Sequence, residues 1–213
     1  MRTTITNEAL ERTLSRERLD KYLVATGQDL DAALKLYEEN TRLSEAFYTP
    51  LQSVEVCLRN CLHERLTARF GDDWFRSQVI PLNDVSRRMI IDVVEDLRTD
   101  RKPVVSGNVV AELKFAFWVG LLGPRYDATL WRMTLYRAFL AEGGKPRSVV
   151  HGRFNAIRRF RNRVAHHEPI FDRPLFQIHS EIIEAIRWMC QETANWAAHH
   201  SRFEVVQATR GPG

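Results

Sequence analysis

Apolar positions recur every three to four residues along nearly the whole chain, and turn residues cut it into long segments of that helical period. Ser15 precedes Leu19, Tyr22 and Leu23 in a segment that stops at Gly27, and Asp29 opens another through Leu34, Leu36 and Tyr37. Both polar residues are good helix N-caps, because their side-chain oxygens accept from free backbone amides. Thr49-Pro50-Leu51-Gln52 joins a capping threonine, a proline at the first helical position and a glutamine three residues after the cap, which predicts a helix from there to Gly71. Asn83 predicts another start, through Val85, Met89 and Val93, and Pro103 closes that region. Residues 106–123 and 127–139 supply two further apolar segments, split by Gly123-Pro124. After Gly143-Gly144-Lys145-Pro146 comes a helix that must end before Pro169, since proline disfavours helical geometry in its predecessor. From Asp172 a stripe of Leu175, Ile178, Ile182, Ile186, Met189, Thr193 and Trp196 predicts one long helix. Phe203-Glu204-Val205-Val206 is strand-like but too short to change the class. The pattern predicts an all-α fold of seven or eight helices in one domain over residues 14–205, with tails at 1–13 and 206–213.

Composition agrees with this picture. Of 213 residues 44% are hydrophobic and 27% charged, as in ordinary globular proteins, and only 10 Gly and 8 Pro argue against a turn-rich β design. Cys57, Cys61 and Cys190 are too few for a disulfide framework, the first fifteen residues hold no apolar run, and residues 113–122 are about half a membrane span. A cytoplasmic protein without a membrane segment is expected.

Charge changes the picture. The net charge of +4 is concentrated between Gly143 and His167, where Lys145, Arg147, Arg153, Arg158, Arg159, Arg161 and Arg163 occur with three histidines and no acidic residue. Without these seven the chain has 24 basic against 27 acidic residues, a net −3. Such a run is either a solvated helix face or a footprint for phosphates. At about 100° per residue, Val150, Phe154, Ile157, Phe160 and Val164 share the side expected to be buried. His151, Asn155, Arg158, Asn162 and His166 share another side, where every residue can hydrogen-bond. Arg161 falls within the apolar stripe, where an unpaired charge would cost several kcal/mol (about 3–5 where a buried pair is broken), so it needs a partner. Glu55, four residues before Arg59 on the third predicted helix, supplies a carboxylate for it. Arg161 and His166 stand about 140° apart on an ideal helix, so meeting at one ligand requires a distorted last turn, for which Pro169 gives a reason. Asn162, one turn before His166, is placed to orient its ring.

The string Arg161-Asn162-Arg163-Val164-Ala165-His166-His167-Glu168-Pro169 resembles the signature of HEPN-fold ribonucleases, an Arg and a His four to six residues apart with a polar residue after the Arg. More narrowly it resembles the Abi-like family of bacterial abortive infection, together with residues 15–22, the stretch from Leu36-Tyr37 to Asn40, Val54-Glu55-Val56-Cys57-Leu58-Arg59-Asn60, Phe70-Gly71 and Trp74. The matches run over about residues 14–200. The resemblance implies a metal-independent endoribonuclease without cofactors, active as a homodimer with a composite site, serving phage defence or growth arrest and restrained by an antitoxin or regulatory protein. Arg161, Asn162 and His166 would be catalytic, with His166 moving protons for attack by the ribose 2′-hydroxyl, Arg161 stabilising the phosphorane and Asn162 positioning one of them. Lys145, Arg147, His151, Asn155, Arg158, Arg159 and Arg163 would bind RNA. Glu55, Arg59, Asn60 and His167 would support the site, Arg59 through an ion pair with Glu55 and His167 at the helix terminus.

Rival readings stand beside this one. The same basic helix would suit a noncatalytic RNA-binding or protein-interaction module, for which an ordered Asn and His have no use. A DNA-binding regulator is disfavoured because the arginine-rich helix also carries the buried stripe. Cys57, Cys61 and His63 continue an apolar face and read as packing, not as a metal site. His167-Glu168 lacks the second histidine of a zinc protease, and Gly143-Gly144-Lys145 lacks the strand and first glycine of a P-loop. Trp118, Trp131, Trp188 and Trp196 are expected in the core or an interface, and His199-His200 at the surface.

Overall fold

The computed structural model describes residues 3–209, whose regular elements are all helices, with no strand among the described residues. The all-α class is therefore as the periodicity predicts. Helix α1 (Thr4–Leu14) occupies most of the stretch expected to be a tail, and Thr3 caps it by accepting from the Thr6 amide. Ser15 caps α2 (Arg16–Ala25), and Gly27, at φ +64°, turns the chain towards Asp29. Asp29 caps α3 (Leu30–Ala46) by accepting from the Ala32 amide at 3.1 Å.

The start predicted at Thr49 is two residues late. Helix α4 (Tyr48–Phe70) follows α3 after Phe47 alone and has no side-chain cap. Phe47 is fully buried against Phe160 and Phe203, so packing of this ring fixes the junction in place of a capping bond. Pro50 lies in the first turn of α4, where its missing N–H costs nothing. The end of α4 is at Gly71, φ +86°, as predicted. Helix α4 then runs through the middle of the bundle, touching α3, α6, α7, α9 and α10.

Asn83 caps α5 (Asp84–Thr99), accepting from the Ser86 amide at 2.9 Å. Residues 106–123 form two short helices, α6 (Ser106–Glu112) and α7 (Phe115–Leu121), because Leu113 and Lys114 are extended. The Trp118 indole donates to the Leu113 carbonyl at 3.2 Å and satisfies a group the broken helix would orphan. Residues 127–139, expected to be helical, are one wide π turn and one 3₁₀ segment.

Helix α8 (Arg147–Ala165) buries Val150, Phe154, Ile157 and Phe160 as predicted, with Val164 partly covered. Each such side chain contributes roughly 1.5–3 kcal/mol when taken from water. The long helix expected from Asp172 begins only at Leu175 and breaks at Trp188–Cys190 into α9 (Leu175–Arg187) and α10 (Gln191–His200). Cys190 is extended, and its sulfur accepts from the Thr193 amide, so a thiol does the capping. Trp118, Trp131 and Trp188 are buried, but Trp196 is 55% exposed. The strand-like stretch is helix α11 (Phe203–Ala208), which runs from the expected domain into the expected C-terminal tail; residues 210–213 lie outside the described part.

The apolar interior has two parts. The main core surrounds α4, and a small cluster of Leu19, Tyr22, Leu23, Ala33 and Leu34 lies within the α2–α3 hairpin. Phe171 packs against both, its ring 5.3 Å from Tyr22.

Candidate functional site

The basic segment looks unopposed only along the chain. In space Arg147 pairs with Asp127 at 3.3 Å and donates to the Leu122 carbonyl, leaving its side chain 16% exposed. Arg153 pairs with Glu184 at 2.6 Å and lies over the Trp188 ring, as does Lys145. Arg163 binds Glu168 and the Pro169 carbonyl. Arg158 donates twice to the Asn155 side-chain oxygen, at 3.0 and 3.2 Å. Carboxylates thus pair with Arg147, Arg153 and Arg163, and the Asn155 side-chain oxygen accepts from Arg158, so these members of the expected RNA-binding set already have partners within the chain. Arg159 is exposed and forms no hydrogen bond or ion pair among the described residues. His151 is half-buried near Gly123, and burial, then Arg147 and Arg158, hold its pKa below the usual histidine range.

Arg161 has the carboxylate its position demanded. Its Nε donates to Glu55 Oε2 at 3.2 Å, across from α8 to α4, with the side chains 40% and 25% exposed. Because Glu55 is used here, the expected Glu55–Arg59 pair is not formed. Arg59 instead buries its Nε with no hydrogen-bond partner. Asn60 is exposed on α4.

The two ends of α8 and α4 enclose an open groove of about 560 Å³. Arg161, Val164, Ala165 and His167 line one wall; Tyr48, Leu51, Glu55, Val56 and Arg59 line the other. Asn162 faces away from it, into a shallower depression of about 460 Å³ with Arg159, Arg163 and Arg173. Consecutive helical residues point about 100° apart, which is why Arg161 and Asn162 part company. The expected bond from Asn162 to the His166 ring is absent among the described residues. His166 is exposed at the C-cap and lines neither hollow. The expected trio is thus split: only Arg161 faces the groove.

Backbone geometry brings in His167. It takes φ +56°, while its amide donates to Val164 O at 3.0 Å and the Glu168 amide to Arg163 O at 2.8 Å. This is the two-bond Schellman closure of a helix, with histidine where glycine is usual. The reversal lets His167 line the groove that Arg161 also lines. The distortion expected near His166 therefore occurs one residue later and acts on the neighbouring ring.

The loop after this turn is anchored from α3. Buried Asn40 accepts from the Ile170 amide at 2.7 Å and the Phe171 amide at 3.1 Å. A polar residue inside an amphipathic helix was the available signal for Asn40; Tyr48, 68% exposed at the groove, and Arg173 carried none.

No family model, curated protein or solved structure matches the chain.

The functional reading thus rests on the residues themselves. No group of three or more His, Cys, Asp or Glu is placed to hold a metal among the described residues, and none of their helices is long and apolar enough to cross a membrane. His63 is a packing histidine: Trp74 donates to its Nδ1 at 3.0 Å. Arg161, fixed by a carboxylate and partly open to solvent, is suited to meet an anion, and the nearby imidazole is suited to move a proton.

Proposed function

We propose that the chain is an endoribonuclease of the Abi-like HEPN type, with the α4–α8 groove as its site. The observation that carries this reading is Arg161, held at 3.2 Å by Glu55 on the wall of a groove that His167 also lines. In the reaction the ribose 2′-oxygen bonds to the adjacent phosphorus and the bond from phosphorus to the 5′-oxygen breaks. The 2′-hydroxyl gives up its proton to a base, and the leaving 5′-oxygen takes one up. The products are a 2′,3′-cyclic phosphate and a 5′-hydroxyl. The nucleophile belongs to RNA, so the step requires a 2′-hydroxyl and no metal-bound water. Arg161 stabilises the charge that grows on the phosphorane, and His167 is the proton-transfer group within one protomer. His166 and Asn162, on the outer side of α8, face a second copy in a homodimer. Phage defence or growth arrest, under control of an antitoxin or regulatory protein, is the role that the motif suggests.

A noncatalytic binding module is the second reading, favoured by the apolar share of the groove wall and by the paired state of most arginines on α8. Incubation of the purified protein with mixed cellular RNA in EDTA separates the two. Cleavage leaving cyclic phosphate ends, abolished in Arg161→Ala and in His167→Ala, is expected. Intact RNA with the wild type, or undiminished cleavage by Arg161→Ala, refutes catalysis; loss in His166→Ala alone returns the proton transfer to His166.

A further inference from the structure

Arg59 has no ion-pair partner among the described residues. It lies one helical turn beyond Glu55 on α4, and the carboxylate that should neutralise it is taken by Arg161. Its Nε is buried without an acceptor. A buried N–H of a charged group left unmatched is costly, and such groups are found paired with protein, water or ligand. Arg87, in the cavity beside α5, by contrast donates to the carbonyls of Ile80 and Leu82.

The groove therefore has polarity along its length. Arg59 and Arg161 stand at one end with Glu55, one turn before Arg59 on α4, and Glu45, with Tyr48, stands at the other. Eleven residues of α4 separate Tyr48 from Arg59, about 16 Å at 1.5 Å per residue. Glu45 is thus too far away to neutralise Arg59. Val56 and Val164 line the space between the helices, so apolar surface flanks the two arginines.

We propose that Arg59 is a second phosphate-binding residue of the groove, so that a phosphodiester is clasped between guanidinium groups from α4 and α8. A phosphodiester has two nonbridging oxygens, and two guanidinium groups match them with charge-assisted bonds. Choice of a phosphodiester rests on the ribonuclease reading above; the unpaired Arg59 itself does not. Arg59 becomes a substrate-binding residue and not a brace for α8.

The test measures binding without cleavage. A fluorescent random-sequence 2′-O-methyl oligoribonucleotide, which has no free 2′-hydroxyl, is titrated in EDTA at several salt concentrations by anisotropy. Arg59→Ala is expected to weaken binding about tenfold and to lower the salt slope by about 0.7, the signature of one lost phosphate contact to a single strand. Arg98→Ala on α5 is expected to change neither. Thermal melts report folding, and if Arg59→Ala does not fold, Arg59→Gln carries the same expectations. Unchanged affinity and slope in a folded neutral variant, while the wild type binds the probe and cleaves RNA, overturns Arg59 alone. A wild type that neither binds the probe nor cleaves RNA overturns this assignment together with the ribonuclease reading.

Discussion

Replacing Glu55 with Gln keeps the shape of the side chain that holds Arg161 and removes its charge. At 3.2 Å, with an effective dielectric near 20, the bare attraction between the two groups is about 5 kcal/mol. Solvent reduces this strongly, because Arg161 is 40% and Glu55 25% exposed. The pair sits between surface pairs, worth about 0–1 kcal/mol, and buried ones whose breaking costs about 3–5 kcal/mol. A coupling of about 1 kcal/mol is expected, read from urea unfolding of the wild type, Glu55→Gln, Arg161→Gln and the double variant. In melting temperature that is about 2–4 °C for a chain of this size. Cleavage should fall in Glu55→Gln, because the guanidinium is no longer fixed, and Glu55→Gln should add nothing once Arg161 is Gln. A coupling energy under about 0.3 kcal/mol, within the error of additivity, would show that α4 does not hold Arg161, and the account of its place in the apolar stripe would fail.

Three further outcomes are expected. Asn40→Ala leaves the Ile170 and Phe171 amides without their acceptor and should cost about 2–3 kcal/mol, with cleavage falling more than stability explains because the turn at His167 loosens; unchanged hydrogen exchange at Ile170 and Phe171 would contradict this. Gly152 is exposed within α8 with nothing within 4 Å of an added Cβ, so Gly152→Ala should stabilise by about 0.5–1 kcal/mol, and a lower unfolding midpoint would count against the helix as described. Burial lowers the pKa of His63 and His179 from 6.5, so the folded chain binds fewer protons than the unfolded one just below that pH. Stability from these rings is complete above about pH 6.5 and is lost as pH falls towards their folded values; a melting temperature that rises between pH 7 and 6 would refute it.

Local chemistry was legible in the sequence wherever one residue decides a boundary. Ser15, Asp29 and Asn83 cap helices as their side chains imply, and Gly27 and Gly71 end them. The stripe of α8 and the carboxylate of Glu55 followed from period alone. What escaped depends on the third dimension. Thr49-Pro50 has the chemistry of a helix start, yet burial of Phe47 sets the junction earlier. A cysteine cap breaks the helix expected from Asp172, and thiols are not among the usual capping groups. The arginines of α8 looked unopposed because Asp127 and Glu184 are distant in sequence and adjacent in space. Which histidine enters the groove was decided by one left-handed residue, and histidine signals that conformation far more weakly than glycine does.

Phe171 belongs to both apolar clusters, and that makes the turn at His167 part of two mechanical units at once. The ring is gripped by Tyr22, and Lys21 holds the adjacent Asp172 at 2.8 Å. Opening of the α2–α3 hairpin would release the loop that follows the turn even while the main core stays closed. The groove histidine is thereby tethered to the α2–α3 hairpin, so its alignment depends on a contact more than a hundred residues away along the chain and can be lost while the main core stays folded.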